Sequence, residues 1–566
     1  DARAAGVILD PEAAYRFARG EEIRTTAGMK IRIGQPLDFL VITDHSDAMG
    51  AMNEVVAGNP DLLRDPTVRD WHQRISQGGE SAFEAALEVV DSFTKGNTPD
   101  VLMSGTFAER IWNGVTETAD AFNEPGRFTA MIGYEWTSTT DGNNLHRNVL
   151  YRDGADSAKK VLPFTVIDSD NPEDLWTWME NYEATTGGEV LATAHNGNLS
   201  NGLMFPDVNP ATNRRLTESY AARRARWEPI YEVTQIKGDG EAHPLLSPND
   251  EFADYETWDQ GNLGPNLKDD DMLQYEYARE ALKKGLAHEV RLGVNPYKFG
   301  LQGATDSHTG LATAEEDNFF GKHSQTEPTA ARLATDVGHF ENNVWPGWYQ
   351  VASGYTGVWA TENTREAIFD AMMRKEVYAT TGPRIQVRFF GAWNFVPEDA
   401  RTRLPANVGY FKGVPMGGDL TAAPAGKAPT FLVAARKDPL SGNLDRIQIV
   451  KGWLDELGKT HERVFEVVWA GERAPGEDGK LPPIGNTVDV ANANWTNTIG
   501  DPELISVWTD PDFDPDERAF YYARVIEIPT PRWTAYDAKY FGTTAPEESP
   551  MITQERAYTS PIWYTP

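Results

Sequence analysis

The chain has 566 residues, no cysteine and a formal net charge of −33 at pH 7, with 40% hydrophobic and 24% charged residues. That size and balance predict a folded protein of two or more domains, and no apolar run reaches the eighteen or so residues of a membrane span. The acidity argues against a nucleic-acid partner, because phosphate backbones reward basic grooves, and the missing cysteines exclude disulfides and thiolate sites.

Near the start, "LDPEAAYRFARG" reads as a helix with Asp10 at the N-cap, Pro11 in the first turn and Gly20 at the stop. The run "LDFLVITDH" that follows is almost wholly apolar until its polar end, the pattern of a parallel strand buried on both faces. The same grammar recurs in "FTAMIGYEW", "HRNVLYR", "EVLATAHNG", "PIYEVTQIKG" and "KFGLQGATDSH". Helical stretches lie between them: "SAFEAALEVVDSF", "PEDLWTWMENYEATTGG" and "LQYEYAREALKKGLAHEV". Alternating strands and helices predict an α/β unit over residues 1–384, with insertions near 48–125 and 200–290. The helix-like "TREAIFDAMMRKEVYATTGPR" closes that unit. Beyond residue 385, "RIQIVKGWLD", "RVFEVVWAG", "ISVWTD" and "AFYYARVIEIP" predict a β-rich antiparallel, sandwich-like domain over 385–566.

The polar strand ends carry the chemistry. They supply His45, Glu135, His146, His195, Asp306 and His308. In "GATDSHTG" the aspartate and histidine stand two positions apart, so on extended backbone both can face one ion. Four of the ten histidines share this strand-end setting. Imidazole and carboxylate are ligands for Zn, Mn or Fe, so the pattern points to metal. The other six histidines fall mostly in helices or loops and read as structural, with His243 in "GDGEAHP" the one singled out as a further candidate.

"LDFLVITDHSD", "IGYEWTS", "AHNGNLSNG" and "GATDSHTG" resemble the ordered motifs of the PHP (polymerase and histidinol phosphatase) superfamily, and most closely its DUF3604 branch. The resemblance implies a distorted (β/α)7 barrel with two or three divalent ions that hydrolyses phosphoesters. It places His45, Glu135, His146, His195, Asp306 and His308 at ligand positions, with Glu135 as bridge. The family's first motif, a strand ending in His-x-His, is not in the sequence; Asp1-Ala2 resembles its end. The motif is therefore expected upstream, with Asp1 as a further ligand.

On this reading the protein is a metal-dependent hydrolase of small anionic phosphoesters, mono- or diester. Arg147 and Lys237 are the expected anion-holding cations, and Arg384, Asn196, Asn198 and His243 the expected pocket lining. A binding protein with a degenerate metal site and a nuclease-like phosphodiesterase are the alternatives. The cysteine-free composition suits an oxidising compartment, so a periplasmic or secreted bacterial location is expected.

Overall fold

The computed structural model describes all residues except 1, 4, 78–80, 82, 83, 86, 87, 90, 91, 93–96 and 341. Asp1 therefore lies outside the described residues, as does most of the helix expected over 81–93.

Helix α1 (Pro11–Ala18) forms as its signals predict, with the Asp10 side chain accepting from the Ala13 N–H and Ala14, Tyr15, Phe17 and Ala18 buried. The strands that carry the site build one sheet: β1 (Phe39–Ile42), β2 (Thr129–Trp136), β3 (Arg147–Tyr151), β4 (Val190–Ala194), β5 (Ile230–Gln235), β6 (Gly238–Asp239) and β7 (Gly300–Gly303). They pair in the order β1-β2-β3-β4-β5, and β5 carries both the parallel β7 and the antiparallel hairpin strand β6.

Two expectations are corrected here. The distorted (β/α)7 barrel is not found: the sheet is an open half-barrel, and among the described residues no strand joins β1 to β7. Nor are all its strands parallel. β3 runs antiparallel to β2 and β4, because the short 137–146 loop cannot hold the crossover that a parallel return needs.

Helices α2 (Gly105–Phe122), α3 (Pro172–Thr186), α4 (Glu218–Trp227) and α5 (Ala278–Leu292) pack outside the sheet, with α1 beside α2. Their Trp112, Trp176, Tyr220 and Leu282 meet Ile132, Tyr134, Val149, Ala192 and Tyr231 in one apolar core. The interval 200–290 holds β5, α4 and most of α5. The opposite, concave face is closed at one end by α6 (Arg365–Met373), whose Ile368, Phe369 and Met372 pack on Met131, Leu150, Leu191 and Ile230. Only the first half of the helix-like stretch 364–384 is helix. Its β-branched and aromatic "VYAT" forms a strand instead, β9 below.

Besides four short two-stranded ribbons, the described residues form β8 (Tyr355–Val358), β9 (Val377–Thr380), β10 (Gln386–Ala392), β11 (Val414–Pro415), β12 (Asp419–Thr421), β13 (Thr430–Arg436), β14 (Leu444–Leu454), β15 (Thr460–Trp469), β16 (Glu503–Thr509), β17 (Arg518–Glu527), β18 (Arg556–Thr559) and β19 (Ile562–Thr565). An eight-stranded sheet runs β8-β9-β18-β17-β14-β15, with β19 beside β17 and β12 beside β19; a four-stranded sheet runs β11-β10-β13-β16. Phe389, Phe431 and Val433 of the smaller sheet meet Ile449, Tyr521 and Val525 of the larger in a second core. The larger sheet draws β8 and β9 from before residue 385, and both pack against β7.

Candidate metal centre

Side-chain alternation builds the site. On β2, Met131 and Glu135 share the concave face while Ile132, Tyr134 and Trp136 face the helices. Moving from the α6 end to the mouth, that face changes from Met131, Leu150 and Leu191 to Glu135, Asn148, Thr193, Glu232 and Gln302. An apolar floor under a polar mouth is the outcome.

Three imidazoles converge on the Glu135 carboxylate. His45 continues β1 as a parallel bridge to Glu135, with the Glu135 N–H donating to Asp44 O at 2.9 Å and the Ser46 N–H to Glu135 O at 2.8 Å. Its Nδ1 lies 3.0 Å from Glu135 Oε2. His146 precedes the antiparallel β3, so the reversal of that strand brings it to the rim, its Nδ1 3.0 Å from Glu135 Oε1. His195 follows β4 and sets Nε2 2.8 Å from the same oxygen. Thr137 Oγ1 contacts His45 Nδ1, and Thr139 Oγ1 pairs with His146 Nε2 at 2.7 Å.

The electrostatics follow from burial. It pushes the Glu135 carboxyl up, but the rings of His45 and His146 outweigh that and hold it well below the usual carboxylate range. Burial lowers His45, and lowers His146 to about 4 despite Glu135. His195 is raised, because its contact with Glu135 overcomes burial. Beneath them burial raises Glu232 to about 7; this carboxylate accepts from Gln235 Nε2 at 2.8 Å and Gln302 Nε2 at 3.4 Å.

The second half of the mouth is centred on Asp306, held at φ 48°. His308 Nε2 lies 3.1 Å from Asp306 Oδ1, and the His308 ring stands edge-on to both His45 and His323, with centroids 5.7 and 5.4 Å away. Lys237 Nζ meets Asp306 Oδ2, and Lys322 Nζ reaches Oδ1 at 2.8 Å. Burial opposes its ionisation, yet the two lysines hold Asp306 well below the usual range. Burial also brings His308 to about 3 and Lys322 to about 7.

Other expected site residues stand elsewhere. Arg147 is one step out of phase with His146, so it faces the helix layer, where Nε donates to Glu228 Oε1 at 3.1 Å. Arg224 Nε and Trp176 Nε1 share that carboxylate. Arg147 therefore holds no anion in the mouth. Arg384 spends its guanidinium on the carbonyls of Gln35 and Pro36. His243 is tied to Asp259 Oδ2 at 2.9 Å and to the Leu245 N–H. Asn198 donates to Lys237 O at 3.0 Å and braces the backbone of Thr257 and Trp258. Asn196 turns the chain at φ 50° and reaches Asn198 Oδ1.

Sequence reasoning missed Lys322, Glu232 and the threonines. Glu232 did leave a signal, a carboxylate two residues from Ile230 inside an apolar strand. Lys322 left none, since "FFGKHSQ" belongs to no strand.

The buried Glu135, His146 and His195 each offer a ligand atom, all within 4.8 Å of one another, and this is the group among the described residues that could hold a metal ion. His195 Nε2 stands 2.8 Å from Glu135 Oε1, close enough for both to reach one cation. The donor set fits a divalent metal. A buried carboxylate–imidazole centre on an open mixed sheet is the class of site defined. The chain belongs to the family described as protein of unknown function DUF3604, whose model matches residues 1–566. No curated protein and no solved structure matches it. Among the described residues no helix is long and apolar enough to cross a membrane.

Proposed function

We propose that the protein is a metal-dependent hydrolase of small phosphoesters, akin to the PHP superfamily that its motifs resemble. The observation that carries this reading is the convergence of three imidazole nitrogens on Glu135 within 3.0 Å. Glu135, His146 and His195 would hold one cation; His45, with Asp306 and His308, would serve a second. Divalent ions in such a set supply Lewis acidity towards an anionic ester and acidify water near neutral pH.

The chain's own residues do the rest. Thr137 and Thr139 fix the His45 and His146 rings, the kind of support that tunes metal ligands. Burial raises the Glu232 carboxyl, so it carries less negative charge towards an anionic substrate than an exposed carboxylate would. Lys237 brings positive charge to the Asp306 side.

The test is turnover of p-nitrophenyl phosphate and bis(p-nitrophenyl) phosphate by purified protein, before and after chelation. Turnover lost with chelator and restored by Zn, Mn or Fe supports the reading. A metal-loaded protein that hydrolyses neither ester refutes it.

A further inference from the structure

The segment 308–322 leaves the mouth and returns to it, its ends tied by the His308 N–H donating to Lys322 O at 3.0 Å. Midway along it stands Glu316, whose carboxylate accepts the Trp533 N–H at the start of α7 (Trp533–Phe541). Beside Glu316 lies a second carboxylate, Glu555, in hydrogen-bonding contact with it. Glu555 immediately precedes β18, and the β17–β18 register places Glu527 directly opposite, its N–H donating to Glu555 O at 2.8 Å. Directly opposed residues of antiparallel strands point to the same face. Three carboxylates thus meet where the segment reaches the larger sheet, and Glu527 and Glu555 are 0% and 1% exposed.

The buried carboxylate Glu228 faces two cations, Arg147 and Arg224. In the Glu316–Glu555–Glu527 seam the nearby cations are each engaged by another group. Arg532 pairs with Glu256 at 2.7 Å, and Arg332 pairs with Asp537. Arg556 donates to the carbonyls of Gln554 and Phe252, and Lys437 to those of Asp438 and Ser441. The other ionisable neighbours, Asp317, Asp438, Tyr255 and Tyr536, are acids. The Thr381 and Ser441 hydroxyls donate to Glu555 Oε2 and Glu527 Oε2, but Oε1 of each is buried without a donor among the described residues. Two carboxylates in contact cannot both stay ionised without a cation. A proton on one supplies the donor that the contact lacks. Burial accordingly raises all three carboxyls, Glu527 to about 8.

We infer that Glu316 and Glu555 share a proton and, with Glu527, latch the segment carrying His308 and Lys322 to the larger sheet, a latch that alkaline solution releases. Losing the proton leaves like charges in contact inside a buried seam, which drives the segment away from the sheet. The latch concerns how the mouth is held together and does not depend on the hydrolase reading. The folded seam keeps protons that the unfolded chain gives up above about pH 4.3. Its contribution to stability is therefore complete below that pH and is lost as pH rises through the folded values.

The experiment compares the purified full chain as wild type, Glu555→Gln and Glu316→Gln by urea unfolding between pH 5 and pH 9. Glutamine keeps the shape and a donor but has no proton to lose. Wild type should lose folding equilibrium relative to either variant, by about tenfold for each pH unit over which one extra proton is kept. Hydrogen–deuterium exchange over residues 311–320, corrected for the intrinsic rate, reads the latch itself. Wild-type protection there should fall about tenfold or more from pH 7 to pH 9, while both variants change little. If one variant does not fold, the other decides. Parallel pH profiles in wild type and a folded variant overturn the inference. So do diverging profiles without any change in exchange over 311–320, since the proton would then fasten nothing. A wild-type profile flattened by added calcium would assign the seam to a cation and overturn the inference as well.

Discussion

Two buried charge clusters in this protein solve opposite problems. In one, Arg279 and Arg524 face Glu241 and Asp250: Arg279 Nη2 lies 2.6 Å from Glu241 and 2.8 Å from Asp250, and Arg524 Nη2 lies 2.6 Å from Asp250. Gln448 and Tyr522 fill remaining positions. Glu462 and Lys283 extend the cluster through Arg279, so cations and carboxylates are matched there, and it ties α5 to β14, β15 and β17. In the other, one carboxylate, Glu135, meets three imidazoles that burial mostly keeps neutral, and Asp306 meets two amines. The first cluster is complete in itself. The second opens to solvent at His45 and His308, 24% and 17% exposed, whereas Arg524 and Asp250 are sealed, and that access is what distinguishes a site from a brace.

Breaking the brace should cost stability and nothing else. Arg524→Met leaves two buried carboxylates undercompensated and is expected to lower unfolding free energy by about 3–5 kcal/mol, read from urea midpoints, with metal content per folded molecule unchanged. A loss of metal in the folded fraction would blur the distinction between the clusters. Support of the site should show the opposite profile. Thr139→Val removes the partner of His146 Nε2 and should weaken metal affinity about tenfold, measured by competition with a chromophoric chelator, while the melting temperature of the metal-free protein stays close to wild type.

Acid should separate the two clusters as well. The folded His146 pKa, about 4, lies below the unfolded value near 6.5, so the unfolded chain takes up the proton first. Its contribution to stability is therefore present above pH 6.5 and lost as pH falls towards about 4. Between pH 7 and 5, metal-free wild type should lose more unfolding free energy than His146→Gln; an equal loss would show that the ring is not held neutral. The smallest effect is expected at Arg384, whose side chain serves backbone carbonyls. Arg384→Ala should leave KM for an aryl phosphate within about twofold, and a large rise in KM would return that arginine to the site.

The sequence was most informative where one local rule decides. Asp10 and Pro11 place α1, and the apolar runs with polar ends place β1, β2, β4, β5 and β7, hence His45, Glu135, His195 and the approach to Asp306. Rules that need three dimensions were not legible. Alternation puts His146 in the mouth and Arg147 on the helix side, yet the two are adjacent in the chain and only the strand's packing says which face is which. The open edge of the sheet depends on long-range pairing that no local pattern encodes. Lys322 reaches Asp306 from a loop with no periodicity, so only the folded backbone reveals it. Arg384 and His243 show the converse: chemically suitable residues that the fold commits to structural partners.

The account stands on Glu135 as the centre of a metal site. Wild type and Glu135→Gln, purified in parallel and matched for folding by circular dichroism, should be compared by inductively coupled plasma mass spectrometry. Wild type is predicted to carry about one or more equivalents of Zn, Mn or Fe, and Glu135→Gln to lose most of it. Equal metal content in the two folded proteins, or none in wild type after incubation with each ion, would contradict the account.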